Sequence, residues 1–195
     1  TMNAVGSKLF ISTKLENVLY DGQKISFMGN GFPNTKIRDV FIDRDKTVFV
    51  GDQEIIVKKG NKYVSEKIKF DKKKVKIKNF FSFKGVDYFG TNKGLWSRNK
   101  NKSLALISKA DVLSLDHDKS STLLVGTKKG LFFLKNGKLS SYSPNQLKPK
   151  TFKKTPVNDI AFINNNEIWY ATFGSGLFLQ DIGTIQNFDQ KDGLN

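Results

Sequence analysis

The sequence contains no cysteine and a single histidine, His117. The first absence excludes disulfides, thiolate metal sites and cysteine nucleophiles. The second removes the usual general base and most metal constellations, and no Ser-His-Asp arrangement can be built around a lone histidine without evident partners. No cofactor and no metal site is therefore expected. Long apolar runs are missing too. None approaches the ~18 residues of a membrane-spanning helix, so no membrane span is expected in this segment. The opening residues Thr1-Met2-Asn3 begin no basic-then-apolar leader. Helical periodicity is absent over any useful length. Arginine is scarce, represented only by Arg38, Arg44 and Arg98.

What is present is lysine. The 195 residues carry a formal net charge of +15. Such a balance points to an anionic partner, or to a solvated lysine-rich surface that keeps the protein soluble. Specific readers of nucleic acid favour arginine for its bidentate fork and interleave aromatic platforms. The scarcity of the first and lack of the second argue against nucleic acid as a partner.

The chain repeats itself. Tyr88-Phe-Gly-Thr-Asn-Lys-Gly-Leu-Trp96 is matched by Leu124-Val-Gly-Thr-Lys-Lys-Gly-Leu-Phe132. Trp169-Tyr-Ala-Thr-Phe-Gly-Ser-Gly-Leu-Phe178 adds one residue before its last glycine. Degraded copies read Phe49-Val-Gly-Asp-Gln-Glu-Ile-Ile56 and Phe10-Ile-Ser-Thr-Lys-Leu15. Anchored on Ser12, Gly51, Gly90, Gly126 and Ala171, the steps are 39, 39, 36 and 45 residues. This period fits blades of four strands. Within one period, Ala110–Leu115, Thr122–Val125, Leu131–Leu134 and Lys138–Tyr142 read as strands, and Asn136-Gly137 as a tight hairpin turn. An all-β β-propeller domain over 1–195 is predicted, with four-stranded antiparallel blades in repeats 1–32, 33–74, 75–109, 110–155 and 156–195. Both tryptophans, Trp96 and Trp169, align with aromatic positions of other copies and are expected in the blade core. His117 falls in a predicted turn and is expected to face solvent.

These residues resemble the two-component regulator propeller repeat family. The opening of the family phrase is matched by Gly31-Phe-Pro-Asn-Thr-Lys-Ile-Arg-Asp-Val-Phe-Ile-Asp43. Asn158–Phe162 and Gly176-Leu-Phe178 match the remainder, and Asp192-Gly-Leu-Asn195 looks like the entry to another repeat. The second copy departs by lacking Thr-x-x-Gly-Leu. Aligning the copies puts Thr1 near the middle of an inner strand and Asn195 just before one. Part of a larger propeller is expected, with a closed five-blade ring as the alternative. The resemblance implies a non-catalytic sensor of bacterial hybrid histidine kinases, periplasmic or at the cell surface, that binds a ligand, often a glycan fragment. The alternative is an interaction scaffold in secretion or envelope assembly, with a protein partner or self-association.

In an antiparallel four-stranded blade the second-to-third turns and the blade-to-blade connections share one end. Lysines gather in those segments, including Asp71-Lys-Lys-Lys-Val-Lys76. The candidate contacts for a glycan or other anionic ligand are Lys93, Lys128, Lys129, Lys153 and Lys154, with Phe173 as an aromatic platform where other copies carry Asn92 and Lys128. Asp43-Arg-Asp45 and Asp116-His-Asp118 mimic the start of a calcium loop but lack its glycine and distant glutamate, and are read as hairpin turns. No spacing nominates a catalytic carboxylate pair, and no catalytic residue is assigned.

Overall fold

The computed structural model describes residues 2–5, 7–13, 16–29, 31–43, 46–83, 85–117, 122–142, 155–163, 167–182 and 184–194. It is all-β: five four-stranded antiparallel sheets, the blades of a β-propeller. The chain divides into two compact units, Thr1–Phe80 and Phe81–Asn195.

The first unit holds blade one, with β1 (Met2–Val5), β2 (Lys8–Ser12), β3 (Asn17–Tyr20) and β4 (Ile25–Phe27). Blade two follows with β5 (Asp39–Asp43), β6 (Lys46–Val50), β7 (Glu54–Lys59) and β8 (Lys62–Lys67). Burial peaks in the middle strands, where Val48, Phe49 and Val50 of β6 and Ile55 and Ile56 of β7 are buried, whereas β8 is largely exposed. Lysines at both ends of β8 suit an outer edge, since charge there discourages pairing with another chain. Phe10, Met28, Ile37, Phe49 and Ile56 form the core, with Phe32 and Tyr63 packed against it. Phe32 meets Phe49 and Tyr63 edge-on at centroid distances of 5.1 and 4.9 Å. Each fully buried ring of this kind is worth roughly 1.5–3 kcal/mol.

Blade three begins with β9 (Ile77–Phe83), whose last residues open the second unit, and continues through β10 (Val86–Thr91), β11 (Gly94–Arg98) and β12 (Leu104–Ser108). Blade four is β13 (Val112–His117), β14 (Leu123–Thr127), β15 (Gly130–Lys135) and β16 (Lys138–Ser141). Blade five is β17 (Val157–Phe162), β18 (Ile168–Thr172), β19 (Leu177–Asp181) and β20 (Thr184–Phe188). All five residues of β14 are buried, which explains why Leu-Leu-Val reads as a continuous apolar run rather than an alternation. Leu124, Leu131, Val157, Ile160, Tyr170 and Phe178 join blades four and five in one core. Trp96 is buried, and Trp169 stacks on Phe188 with centroids 5.8 Å apart.

The repeated phrase has a physical cause. The Thr91 hydroxyl donates to the Gly94 carbonyl at 2.7 Å and accepts from the Lys93 amide at 3.1 Å, closing the β10–β11 turn on itself. Thr127 does the same with Gly130 and Lys129, and Thr172 donates to the Gly176 carbonyl. The β2–β3 turn is closed likewise by Thr13 and Glu16. Gly126 is required by close approach: a Cβ there would lie 2.2 Å from Ser114 Oγ and 2.7 Å from the Val157 carbonyl oxygen. Asn136 and Gly137 both take positive φ, 52° and 75°, as a tight Asn-Gly hairpin demands.

Candidate functional site

The β6–β7 turn of blade two breaks the threonine rule. Asp52 stands where the other copies carry threonine, and its carboxylate reaches outward. Arg38 Nε donates to Asp52 Oδ1 at 2.5 Å, and Lys76 Nζ lies 3.6 Å from Asp52 Oδ2. The Arg38 hydrogen bond holds the Asp52 carboxyl below the usual carboxylate range, against the opposing effect of its partial burial. The turn is also tied to the connection that leaves β8. The Ile68 amide donates to the Gln53 carbonyl and the Ile77 amide to the Asp52 carbonyl, both at 2.8 Å. Gln53 Nε2 donates to the Val75 carbonyl at 3.0 Å.

Ile68, Val75 and Ile77 are buried, while Lys69 and residues 71–74 between them are exposed. The connection is thus an arch with apolar feet. Lys74 at its far end takes the left-handed conformation, φ 58°, uncommon for a side chain of its length. Arch and turn line an open cleft of about 720 Å³. Lys67, Lys69, Lys72, Lys74 and Lys76 line it, with Phe70 on the wall. Asp52 and Glu54 are the carboxylates of the lining. Glu54 accepts a hydrogen bond from the Ser65 hydroxyl. Lysines 72–74 were legible as part of a basic connection, but the cleft and the role of Asp52 were not.

The candidate residues of the second unit sit in separate turns. Lys93 lies in the β10–β11 turn, Lys128 and Lys129 in the β14–β15 turn, and Phe173 in the β18–β19 turn. All four are exposed, Phe173 by 73%. Lys128 Nζ is 3.0 Å from Asp111 Oδ2. None of the four lines the lysine cleft or the crevice described next. Lys153 and Lys154 lie outside the described residues.

His117 differs from expectation. It ends β13, paired with Leu123, instead of sitting in a turn, because the β13–β14 ladder runs further than the sequence indicated. Its ring is half-buried and packs on Phe81 at 4.4 Å between centroids, with Phe83 at 6.2 Å. Tyr88, Leu123, Leu134 and Asn136 complete a crevice of about 200 Å³. Burial raises the Tyr88 phenol. His117 Nδ1 is buried without a hydrogen-bond partner among the described residues, and Asp116 Oδ1 lies 3.6 Å from it. Val86 of β10 lines this crevice while β10 ends at the Lys93 turn, so the two features occupy opposite ends of that blade. Among the described residues, no group of three His, Asp or Glu could hold a metal ion, and no helix is long and apolar enough to cross a membrane.

No protein-family model matches the sequence, and no curated protein matches it. Solved structures do. The extracellular domain of a hybrid two-component system from B. thetaiotaomicron superposes with a TM-score of 0.73 at 19% identity, covering 100% of this chain and 28% of that one. A second such domain from B. thetaiotaomicron gives 0.70 at 17% identity, over 92% of this chain and 26% of the other. The likeness is one of fold: these are β-propeller blades. The chain thus spans about a quarter of the length of those two domains. PorZ, a bacterial surface component of the type-IX secretion system of Porphyromonas gingivalis, is similar at a TM-score of 0.52 and 13% identity, over 99% of this chain and 42% of PorZ.

Proposed function

We propose that the chain is a non-catalytic, ligand-binding and sensing β-propeller module of a bacterial two-component regulator, working outside the cytoplasm in the periplasm or at the cell surface. The observation that carries this reading is the run of five blades, two of them written in the full Gly-Thr-x-x-Gly-Leu phrase, alike in fold to extracellular domains of two-component systems. The exposed Lys93, Lys128 and Lys129 of the strand turns and the exposed Phe173 are proposed contacts for a glycan or other anionic ligand, with Lys153 and Lys154 added from the sequence alone. The likeness to PorZ favours a second reading, a scaffold at the bacterial surface that binds another protein.

A thermal-shift screen of the chain against neutral and acidic oligosaccharides tests the first reading. A ligand that binds only the folded state raises the melting temperature in proportion to the logarithm of its concentration over Kd. A concentration-dependent rise with one ligand class is expected. A flat response across the panel, together with a defined complex with a second envelope protein in sedimentation, would replace sensing with the scaffold.

A further inference from the structure

Four of the five second-to-third turns close on themselves through a threonine hydroxyl. The fifth carries Asp52, and its polar groups turn instead toward Arg38 and the arch. A turn that had merely degraded would lose its cap and gain nothing. This one gains three hydrogen bonds to the neighbouring connection and forms one wall of a lysine-lined cleft.

We infer that this cleft is the seat of a ligand carrying two or more spaced anionic groups, sulfate, phosphate or carboxylate. The inference rests on the reading of the chain as a ligand-binding module and adds a second site, apart from the turn lysines of the other unit, with its own ligand chemistry. Charge is the first argument. Five lysines line the cleft against Asp52 and Glu54, and Asp71 in the arch leaves the balance positive. Asp52 is engaged by Arg38 and Lys76, which offsets its negative charge at the edge of the lining. Size is the second: about 720 Å³ lies within the range of small-molecule sites. Rigidity is the third. The floor is fixed by backbone hydrogen bonds and by the buried Ile68 and Val75, so a ligand need not order it.

The cation type decides between one charge and several. Among the described residues no arginine lines the cleft, so they offer no planar fork for a single carboxylate or phosphate. Ammonium groups spread along β8 and the arch act as separate point charges, which suits an oligomer with a charge on successive units.

Calorimetric titration of the chain tests this with sodium tripolyphosphate, sulfated dextran fragments and neutral dextran fragments as probes. Two charge-matched variants are compared. Lys67→Gln/Lys69→Gln/Lys72→Gln removes three cations of the cleft, and Lys58→Gln/Lys59→Gln/Lys62→Gln removes three exposed cations at the β7–β8 end of the same blade. All six side chains are exposed, so both variants are expected to fold. The cleft variant is expected to lose about tenfold or more in affinity for a polyanion, and the control about twofold or less. Tripolyphosphate and sulfated dextran distinguish phosphate from sulfated saccharide as the preferred source. Equal losses in the two variants would overturn the cleft in favour of diffuse attraction. Binding of neutral dextran with no polyanion binding would also overturn it while leaving the sensing reading intact. Binding of no probe, with no response in the oligosaccharide screen, would remove both.

Discussion

The Asp116 carboxylate accepts a hydrogen bond from the Phe162 amide at 2.8 Å, fastening β13 to β17, the inner strand of the next blade. Its other oxygen accepts from the His117 amide at 2.8 Å. Asp39 repeats the arrangement within the first unit, taking the Phe80 amide at 3.0 Å and the Val40 amide at 2.9 Å. Inner strands of neighbouring blades share no ladder, so an aspartate supplies the missing acceptor. Asp116→Ala should cost about 1–3 kcal/mol, because it leaves the Phe162 amide unpaired in a partly buried place. Asp116→Asn keeps an acceptor and should cost distinctly less. Urea unfolding of the two variants measures the difference, and equal midpoints would show that the carboxylate is not a fastener.

Gln180 joins two phenols. Its Oε1 accepts from the Tyr142 hydroxyl at 2.9 Å and from that of Tyr170, whose ring is fully buried. Burial first, and Tyr142 second, push the Tyr170 phenol far above its ordinary value, so it stays neutral and donating at any physiological pH. Gln180→Leu removes the shared acceptor and should destabilise by about 1–3 kcal/mol. Tyr142→Phe leaves the Tyr170 bond in place and should cost about 1 kcal/mol or less. If thermal unfolding ranks the two variants the other way, the glutamine is not the hub.

Gly126 offers a steric test of blade packing. Gly126→Ala would drive its Cβ into Ser114 Oγ and the Val157 carbonyl, and backbone cannot step aside as a flexible side chain can. A loss of about 2 kcal/mol or more is expected. At Gly51 the nearest atom to an added Cβ is Glu54 Cγ at 3.0 Å, the body of an adaptable side chain. Gly51→Ala should therefore be much milder. Adding Ser114→Ala to Gly126→Ala should recover only part of the loss, since the Val157 oxygen remains; full recovery would place the clash on the hydroxyl alone.

The fold was legible because its determinants are local. A threonine that closes a turn, an Asn-Gly pair with both φ positive, and a run such as Leu124-Val-Gly126 each act within a few residues, and their recurrence reveals the blade. The cleft was half legible. The lysines at 72–74 could be assigned to a connection, but whether that connection arches over the β6–β7 turn depends on the burial of Ile68 and Val75, a tertiary fact. The clearest sequence clue was the departure at Asp52, which looks like decay until its partners are seen. His117 was misplaced for another reason. A strand's end depends on how far its ladder pairs, and the pairing of His117 with Leu123 turns the imidazole toward Phe81.

Asp52 ties stability, pH and binding together. Its folded pKa lies below that of a free carboxyl, chiefly through the Arg38 hydrogen bond. The unfolded chain therefore binds the proton more tightly than the folded one, and protonation favours unfolding. The contribution is complete above the ordinary carboxylate pKa of about 4 and disappears as the pH falls through the lowered folded value. The carboxylate is 37% exposed, so solvent screening keeps the contribution to under about 1 kcal/mol. Asp52→Asn should lower the urea midpoint near neutral pH, and the gap to the unaltered chain should close in strong acid. A gap that persists unchanged at low pH would assign the loss to packing and not to charge. The same substitution releases Arg38 and Lys76 from their carboxylate at the edge of the cleft. A less stable variant that nonetheless binds sulfated dextran or tripolyphosphate about twofold to threefold more tightly is the expected result, since removing a negative charge from the lining strengthens its field. Weaker polyanion binding by Asp52→Asn would mean that the aspartate positions the lysines, and that its charge is a smaller matter than the geometry it maintains.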